Sequence, residues 1–207
     1  MSDALNRGQI VILNGVPRSG KASIAKAIQN RFPGLWVNLD LDTADRFLPG
    51  IGLHQGGKRP DLQNTLPLFL AARWESIALY SRLGLNVVAD LGLDGGYPRA
   101  PGLISDCARR MAGFPVLFVR VLCSLETARR RGRGEPGRKG LHLRTDDEHA
   151  ASSQSGRSDR EVQRPRLFDM TVNTDVLTSL ECADAILERL DRGIPRPTAL
   201  ERAAALD

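Results

Sequence analysis

The chain has 207 residues, 42% hydrophobic and 26% charged, with a net charge of +5. That length and balance are ordinary for one soluble globular domain, residues 1–207, with a proper core. No apolar run approaches a membrane span, and Met1 to Gln9 lacks the apolar centre of a signal peptide, so a cytoplasmic location is expected.

The first predicted element is a strand over Gln9–Asn14, built on Ile10-Val11-Ile12-Leu13. It runs into Gly15-Val16-Pro17-Arg18-Ser19-Gly20-Lys21-Ala22, and a helical pattern follows over Lys21–Phe32. Strand, glycine loop and helix is the layout of a phosphate-binding P-loop (Walker A), and every position but the last fits G-x-x-x-x-G-K-[ST]. Gly15 and Gly20 let the backbone wrap closely around phosphate oxygens. Successive N–H groups and the positive end of the helix then face the anion. Lys21 reaches the terminal phosphates. The predicted nucleotide contacts are Gly15, Val16, Pro17, Arg18, Ser19, Gly20, Lys21, Ala22 and Ser23. The alternative is a glycine-rich turn with an exposed lysine.

Ala22 stands where a Ser or Thr normally ligates Mg²⁺. Ser23 is the nearest hydroxyl, but one residue along a helix is about 100° around, which turns it from the metal. Mg²⁺ is then expected to rest on the nucleotide's phosphates, water and a carboxylate. Weaker metal binding follows; a nucleotide binder that has lost turnover is the harsher reading.

The second strand is predicted over Trp36–Leu41 and closes on Asn38-Leu39-Asp40-Leu41-Asp42. Asp40 and Asp42 alternate by two and share one face. A carboxylate at this edge can take the proton of an acceptor hydroxyl, or be a solvated strand end or helix N-cap. Gly50–Pro67 is long and rich in Gly, Pro and polar residues, which predicts a functional or mobile connection. Its His54 reads as a loop residue and not a base. A helix is predicted over Leu66–Leu83, carrying Arg73, Trp74 and Glu75, with Trp74 read as core. The strand Asn86–Asp90 ends Val87-Val88-Ala89-Asp90, the Walker B form, and Asp90 is the predicted metal ligand through water.

A helix over Pro98–Ala112 and a strand over Val116–Val121 follow. A short helix over Leu125–Arg131 opens a basic stretch: Arg129, Arg130, Arg131, Arg133, Arg138, Lys139 and Arg144. Three readings stand: a lid over the phosphates (about residues 129–165), a solvated face, or a nucleic-acid surface. No aromatic sits among the arginines to stack a base, which weighs against nucleic acid. Gly132–Pro165 has few apolar residues and is expected to be flexible without ligand. The last strand is Asp169–Asn173 and the last long helix Ser179–Asp191. The tail after Gly193 is short and helical at most. Cys107, Cys123 and Cys182 are scattered without C-x-x-C spacing, which argues for buried thiols over a disulfide framework or zinc site.

Apolar strands alternating with helices predict an α/β fold: a five-stranded parallel sheet, P-loop NTPase and nucleoside-kinase-like, with helices on both faces. Ligands then sit at the carboxyl ends of the strands.

Gly8-Gln9-Ile10-Val11-Ile12-Leu13-Asn14-Gly15, Pro17-Arg18-Ser19-Gly20-Lys21, Trp36 and Asp42 together resemble the chloramphenicol phosphotransferase-like family. Leu83-Gly84-Leu85-Asn86-Val87-Val88-Ala89-Asp90 and Arg164-Pro165-Arg166-Leu167-Phe168-Asp169 extend the resemblance over most of the chain; the lid region matches poorly. The resemblance implies a fold like nucleoside and shikimate kinases. It implies transfer of the γ-phosphoryl group of ATP to a hydroxyl of a small molecule, with Mg²⁺. It puts the catalytic base on Asp42, the strand-end acid on Asp90 and the lid arginines on Arg133 or Arg138, beside Lys21 of the loop, and it makes Gly50–Pro67 the acceptor-binding loop, with Arg73, Trp74 and Glu75 on the helix beside it. Ala22 and Asp40 depart from the family, which usually has Ser and a small residue there.

The leading expectation is thus an O-phosphotransferase acting on an antibiotic or a biosynthetic intermediate. A sulfotransferase is the second, since Pro17-Arg18-Ser19-Gly20 fits a phosphosulfate loop until Lys21. A non-catalytic nucleotide-binding protein is the third.

Overall fold

The structure is a computed structural model that describes residues 7–16, 18–39, 65–90, 103–133 and 168–205. Its strands are β1 (Ile10–Asn14), β2 (Trp36–Asn38), β3 (Asn86–Asp90), β4 (Val116–Leu122) and β5 (Met170–Asn173). Its helices are α1 (Lys21–Arg31), α2 (Leu66–Arg82), α3 (Leu103–Arg110), α4 (Leu125–Arg133), α5 (Ser179–Asp191) and α6 (Ala199–Ala204). The strands form one five-stranded sheet in the order β2-β3-β1-β4-β5. Every pairing is parallel.

The apolar run that predicted β1 has a physical reason. β1 lies at the centre of the sheet with all five residues buried, so neither face meets water. Alternation along the strand divides the core in two. Ile10 and Ile12 pack with Trp74, Ile77, Val87 and Phe118 beneath α2, α3 and α6. Val11 and Leu13 pack with Ile24, Ile28, Val119 and Ile186 beneath α1 and α5. α1 reaches that core because Lys21, Ile24, Ala25, Ala27 and Ile28 recur at helical spacing on its buried side.

β2 is shorter than the predicted strand: its ladder ends at Asn38, and Leu39 adds one bond from its N–H to the Val88 carbonyl at 2.9 Å. Asp40 and Leu41 lie outside the described residues. The predicted Pro98–Ala112 helix is described only as α3, ending at Arg110 before a turn, and residues 98–102 lie outside the description. α6 gives the tail a definite helix. Thr198 accepts from the Glu201 N–H while Glu201 accepts from the Thr198 N–H, a capping box that starts the helix against the core. The buried Asp169 carboxylate holds α6 to the sheet, accepting from Phe118 N at 2.9 Å and Ala199 N at 2.7 Å.

Parallel strands bring every carboxyl end to one edge. That edge gathers the turn after β1, Asp90 at the end of β3, Cys123 after β4 and Thr174 after β5. No helix among the described residues is long and apolar enough to cross a membrane.

Candidate functional site

The loop between β1 and α1 passes so close to β4 that a Cβ on Gly15 would lie 2.2 Å from the Val121 carbonyl oxygen. Only glycine fits there. Gly20 ends the loop at φ +101°, in the left-handed region that glycine enters without strain. Arg18 takes φ +65°, an uncommon conformation for a residue with a Cβ, which neighbouring contacts must hold.

Those contacts are in place. The Lys21 ammonium is buried and donates to the carbonyls of Gly15 at 2.7 Å and Val16 at 3.0 Å. Ser19 N also donates to the Val16 carbonyl at 3.1 Å, closing the turn. Arg131 of α4 donates to the Arg18 carbonyl at 3.2 Å. The Thr174 hydroxyl donates to the Ser19 carbonyl at 2.8 Å, with Leu122 O as a longer second acceptor at 3.2 Å. Four loop carbonyls are thus engaged by groups of the protein. With the Ser19 N–H spent on closing the turn, the other N–H groups of a loop so held are what remains to meet an anion.

Asp90 ends β3 3.8 Å from the Lys21 ammonium, with 16% of its side chain exposed. The strand-end acid and the loop lysine, predicted to be neighbours, are brought together. Ala22 is half-buried at the start of α1, whereas Ser23 is exposed, in keeping with its turn around the helix. Ser19 is fully buried, and its hydroxyl has no hydrogen-bond partner among the described residues. Pro17, Asp40, Asp42, His54 and Arg138 lie outside the described residues. Arg133 is the last residue of α4, and its side chain lies outside the description too.

Arg73 donates to the Leu39 carbonyl at 3.1 Å, which ties α2 to the end of β2. Trp74 is 1% exposed within the core, as its pattern predicted. Glu75 turns to Arg110 of α3, 2.8 Å away. Cys107 and Cys182 are buried thiols, and burial pushes both above the ordinary range. Cys123 departs from the buried reading: it is half-buried beside the loop. Burial raises its thiol, Arg131 lowers it, Asp175 raises it and Lys21 lowers it. All three cysteines are free.

Arg131 and Thr174 are the residues that the motif did not single out. Arg131 was one arginine among many in a basic stretch. Thr174 carried only its place after a parallel strand, where ligand-facing residues collect.

The comparisons accord with this geometry. The sequence matches the family described as chloramphenicol phosphotransferase-like protein over residues 8–191. No curated protein matches the chain. Shikimate kinase from Acinetobacter baumannii in complex with shikimate is similar in structure, with a TM-score of 0.63 at 14% identity, covering 93% of this chain and 98% of that one. The APS kinase of Mycobacterium tuberculosis in complex with AMPPNP and APS gives a TM-score of 0.58 at 17% identity, over 89% of this chain and 98% of that one. The tunicamycin resistance protein of Deinococcus radiodurans gives 0.57 at 18% identity, over 89% and 96%. At these identities the likeness is one of fold, the α/β fold of P-loop kinases.

Proposed function

The chain belongs to the chloramphenicol phosphotransferase-like family, and from that premise we propose that it is an ATP-dependent O-phosphotransferase of small molecules. The acceptor class we propose is a hydroxylated antibiotic or biosynthetic intermediate. The observation that carries the reading is the loop lysine: Lys21 is buried against the carbonyls of Gly15 and Val16, with Asp90 3.8 Å away. An ammonium held there is placed for the phosphates of a nucleotide. Lys21 and the family membership favour phosphoryl over sulfuryl transfer. Structural neighbours named as kinases of shikimate and APS, and as a tunicamycin resistance protein, accord with a small acceptor.

In this reading the nucleotide's phosphates take Lys21 from the loop carbonyls. The acceptor oxygen attacks the γ-phosphorus as the bond to the β–γ bridging oxygen breaks, and ADP leaves. The hydroxyl proton passes to Asp42. Arg133 and Arg138 answer the negative charge that spreads over the transferring group. A Mg²⁺ ion, when bound, neutralises the charge on the β- and γ-phosphates. Asp90 is the residue that would hold it, through water. One carboxylate and no hydroxyl at Ala22 is a sparse donor set. It fits Mg²⁺, which keeps several waters and takes the rest of its ligands from phosphates. Among the described residues no group of three His, Cys, Asp or Glu side chains gathers as a protein-only cage.

Ala22 favours a second reading, a nucleotide-binding protein with weakened turnover. One experiment separates the two. Hydroxylated metabolites and antibiotics are incubated with the protein, ATP and Mg²⁺ and screened by mass spectrometry. An acceptor that gains a phosphate's mass, with ADP released, is the expected result. ATP binding without transfer to any acceptor selects the second reading, and no ATP binding removes both.

A further inference from the structure

Arg131 and Thr174 form a connected set with the outer side of the phosphate loop. One guanidinium nitrogen of Arg131 donates to the Arg18 carbonyl at 3.2 Å and to the Thr174 hydroxyl at 3.0 Å. The other donates to the Thr174 carbonyl at 3.0 Å. Thr174 passes its own hydroxyl hydrogen to the Ser19 carbonyl at 2.8 Å. The packing is reciprocal: a Cβ on Gly132 would meet a guanidinium nitrogen of Arg18 at 1.8 Å, so the Arg18 side chain lies directly against α4. A Cβ on Gly20 would lie 3.4 Å from the Thr174 methyl and 3.6 Å from Arg131. Three distant parts of the chain thereby meet at two successive peptides of the loop.

A peptide unit is planar and trans, so its C=O and the following N–H point in opposite directions. Fixing the Ser19 carbonyl on Thr174 fixes the Gly20 N–H on the other side of the loop. Glycine at φ +101° leaves that peptide easy to turn over. Thr174 and Arg131 remove that freedom before a ligand arrives. Donors set in advance bind an anion without the cost of ordering them.

We propose that Arg131 and Thr174 are positioning residues for phosphate binding, acting through the carbonyls of Arg18 and Ser19 and not by touching the nucleoside. The inference rests on the nucleotide reading of the same loop. It assigns Arg131 a role separate from that of Arg133 and Arg138.

The test measures the binding of ATP and of inorganic tripolyphosphate to the whole chain. The variants are Thr174→Val, Thr174→Ser, Arg131→Ala and, as a control, Lys21→Ala. Thr174→Val and Arg131→Ala should each weaken ATP about tenfold. Tripolyphosphate should weaken by the same factor, since the loop and not the base is disturbed. Thr174→Ser, which restores the hydroxyl, should bind as the parent does. Arg131 is exposed, so Arg131→Ala carries the test even if Thr174→Val does not fold. Loss confined to ATP would mean nucleoside contact and overturn the inference. So would unchanged affinities in Thr174→Val and Arg131→Ala while Lys21→Ala abolishes binding. If the parent binds neither ligand, or Lys21→Ala binds both as well as the parent, the nucleotide reading fails and takes this inference with it.

Discussion

Ala22 occupies the first turn of α1 directly after Lys21, half-buried, with no side-chain oxygen to offer a metal. Asp90 is the carboxylate at hand. Restoring a hydroxyl by Ala22→Ser should lower the Mg²⁺ concentration for half-maximal activity by roughly tenfold, since one more oxygen donor is worth on that order. A Mg²⁺ titration of phosphoryl transfer checks this, and an unmoved midpoint would place position 22 away from the metal. Asp42→Asn tests the proposed base. Losing a general base should cut kcat by about a hundredfold to ten-thousandfold. ATP affinity, set by the loop, should stay as in the parent; full activity would remove Asp42 from the mechanism. The loop was legible residue by residue because glycine, lysine and the strand before them are each required by phosphate binding. Thr174 was not: its bond to Ser19 spans 155 positions, and a lone threonine after a strand carries no signal of where its hydroxyl goes. Arg131 was hidden for another reason, among identical neighbours on a helix where only the fold decides which one reaches Arg18.

At the scale of elements, apolar strands and helical stripes marked nearly every span, because a parallel sheet buries both faces and leaves continuous runs of Val, Ile and Leu. α6, in a tail expected to be helical at most, is the instructive case. Thr198 and Glu201 carry the same spacing as Thr178 and Glu181, and both pairs form capping boxes. The signal was present, but six residues are too few for a periodic pattern to stand out. The α5 box also gives a pH dependence. The Thr178 N–H and then its hydroxyl hold the Glu181 carboxyl below its ordinary value of 4.5. The folded state then binds fewer protons than the unfolded chain in that range. The box's stabilisation is therefore fully present above about pH 4.5 and is lost as pH falls through the lowered folded-state value. Asp175, lowered by the Thr127 hydroxyl first and by Ser124, works in the same sense. Asp169 works in the opposite sense: its burial raises its pKa, so its contribution declines as pH rises through the folded-state value. Glu181→Gln keeps an acceptor for the Thr178 N–H but removes the titration. Thermal melts from about pH 3 to about pH 7 should show a shallower acid limb for the variant. An identical limb would mean that the α5 box does not contribute to acid unfolding.

At the scale of the molecule, the sheet separates two cores while joining them. Ile77 and Ile186 are both fully buried, one on the inner face of α2 and the other on that of α5, in clusters that share no residue. β1 sends Ile10 and Ile12 into the first and Val11 and Leu13 into the second, so neither core can open without disturbing the same strand. Such an arrangement should unfold as one unit, although its two halves are packed independently. Ile77→Val and Ile186→Val each remove one buried methylene and should cost about 0.5–1.5 kcal/mol. Their effects should add to within about 0.5 kcal/mol, since the side chains have no common partner. Urea unfolding followed by both far-ultraviolet circular dichroism and tryptophan fluorescence checks the claim. Trp74 reports on the first core and Trp36 on the second. The two probes should give one midpoint for the parent and for each variant, with the slope unchanged. If Ile186→Val shifted the Trp36 transition and left that of Trp74 in place, the shared strand would not couple the faces, and the two cores would be separate folding units on either side of the sheet.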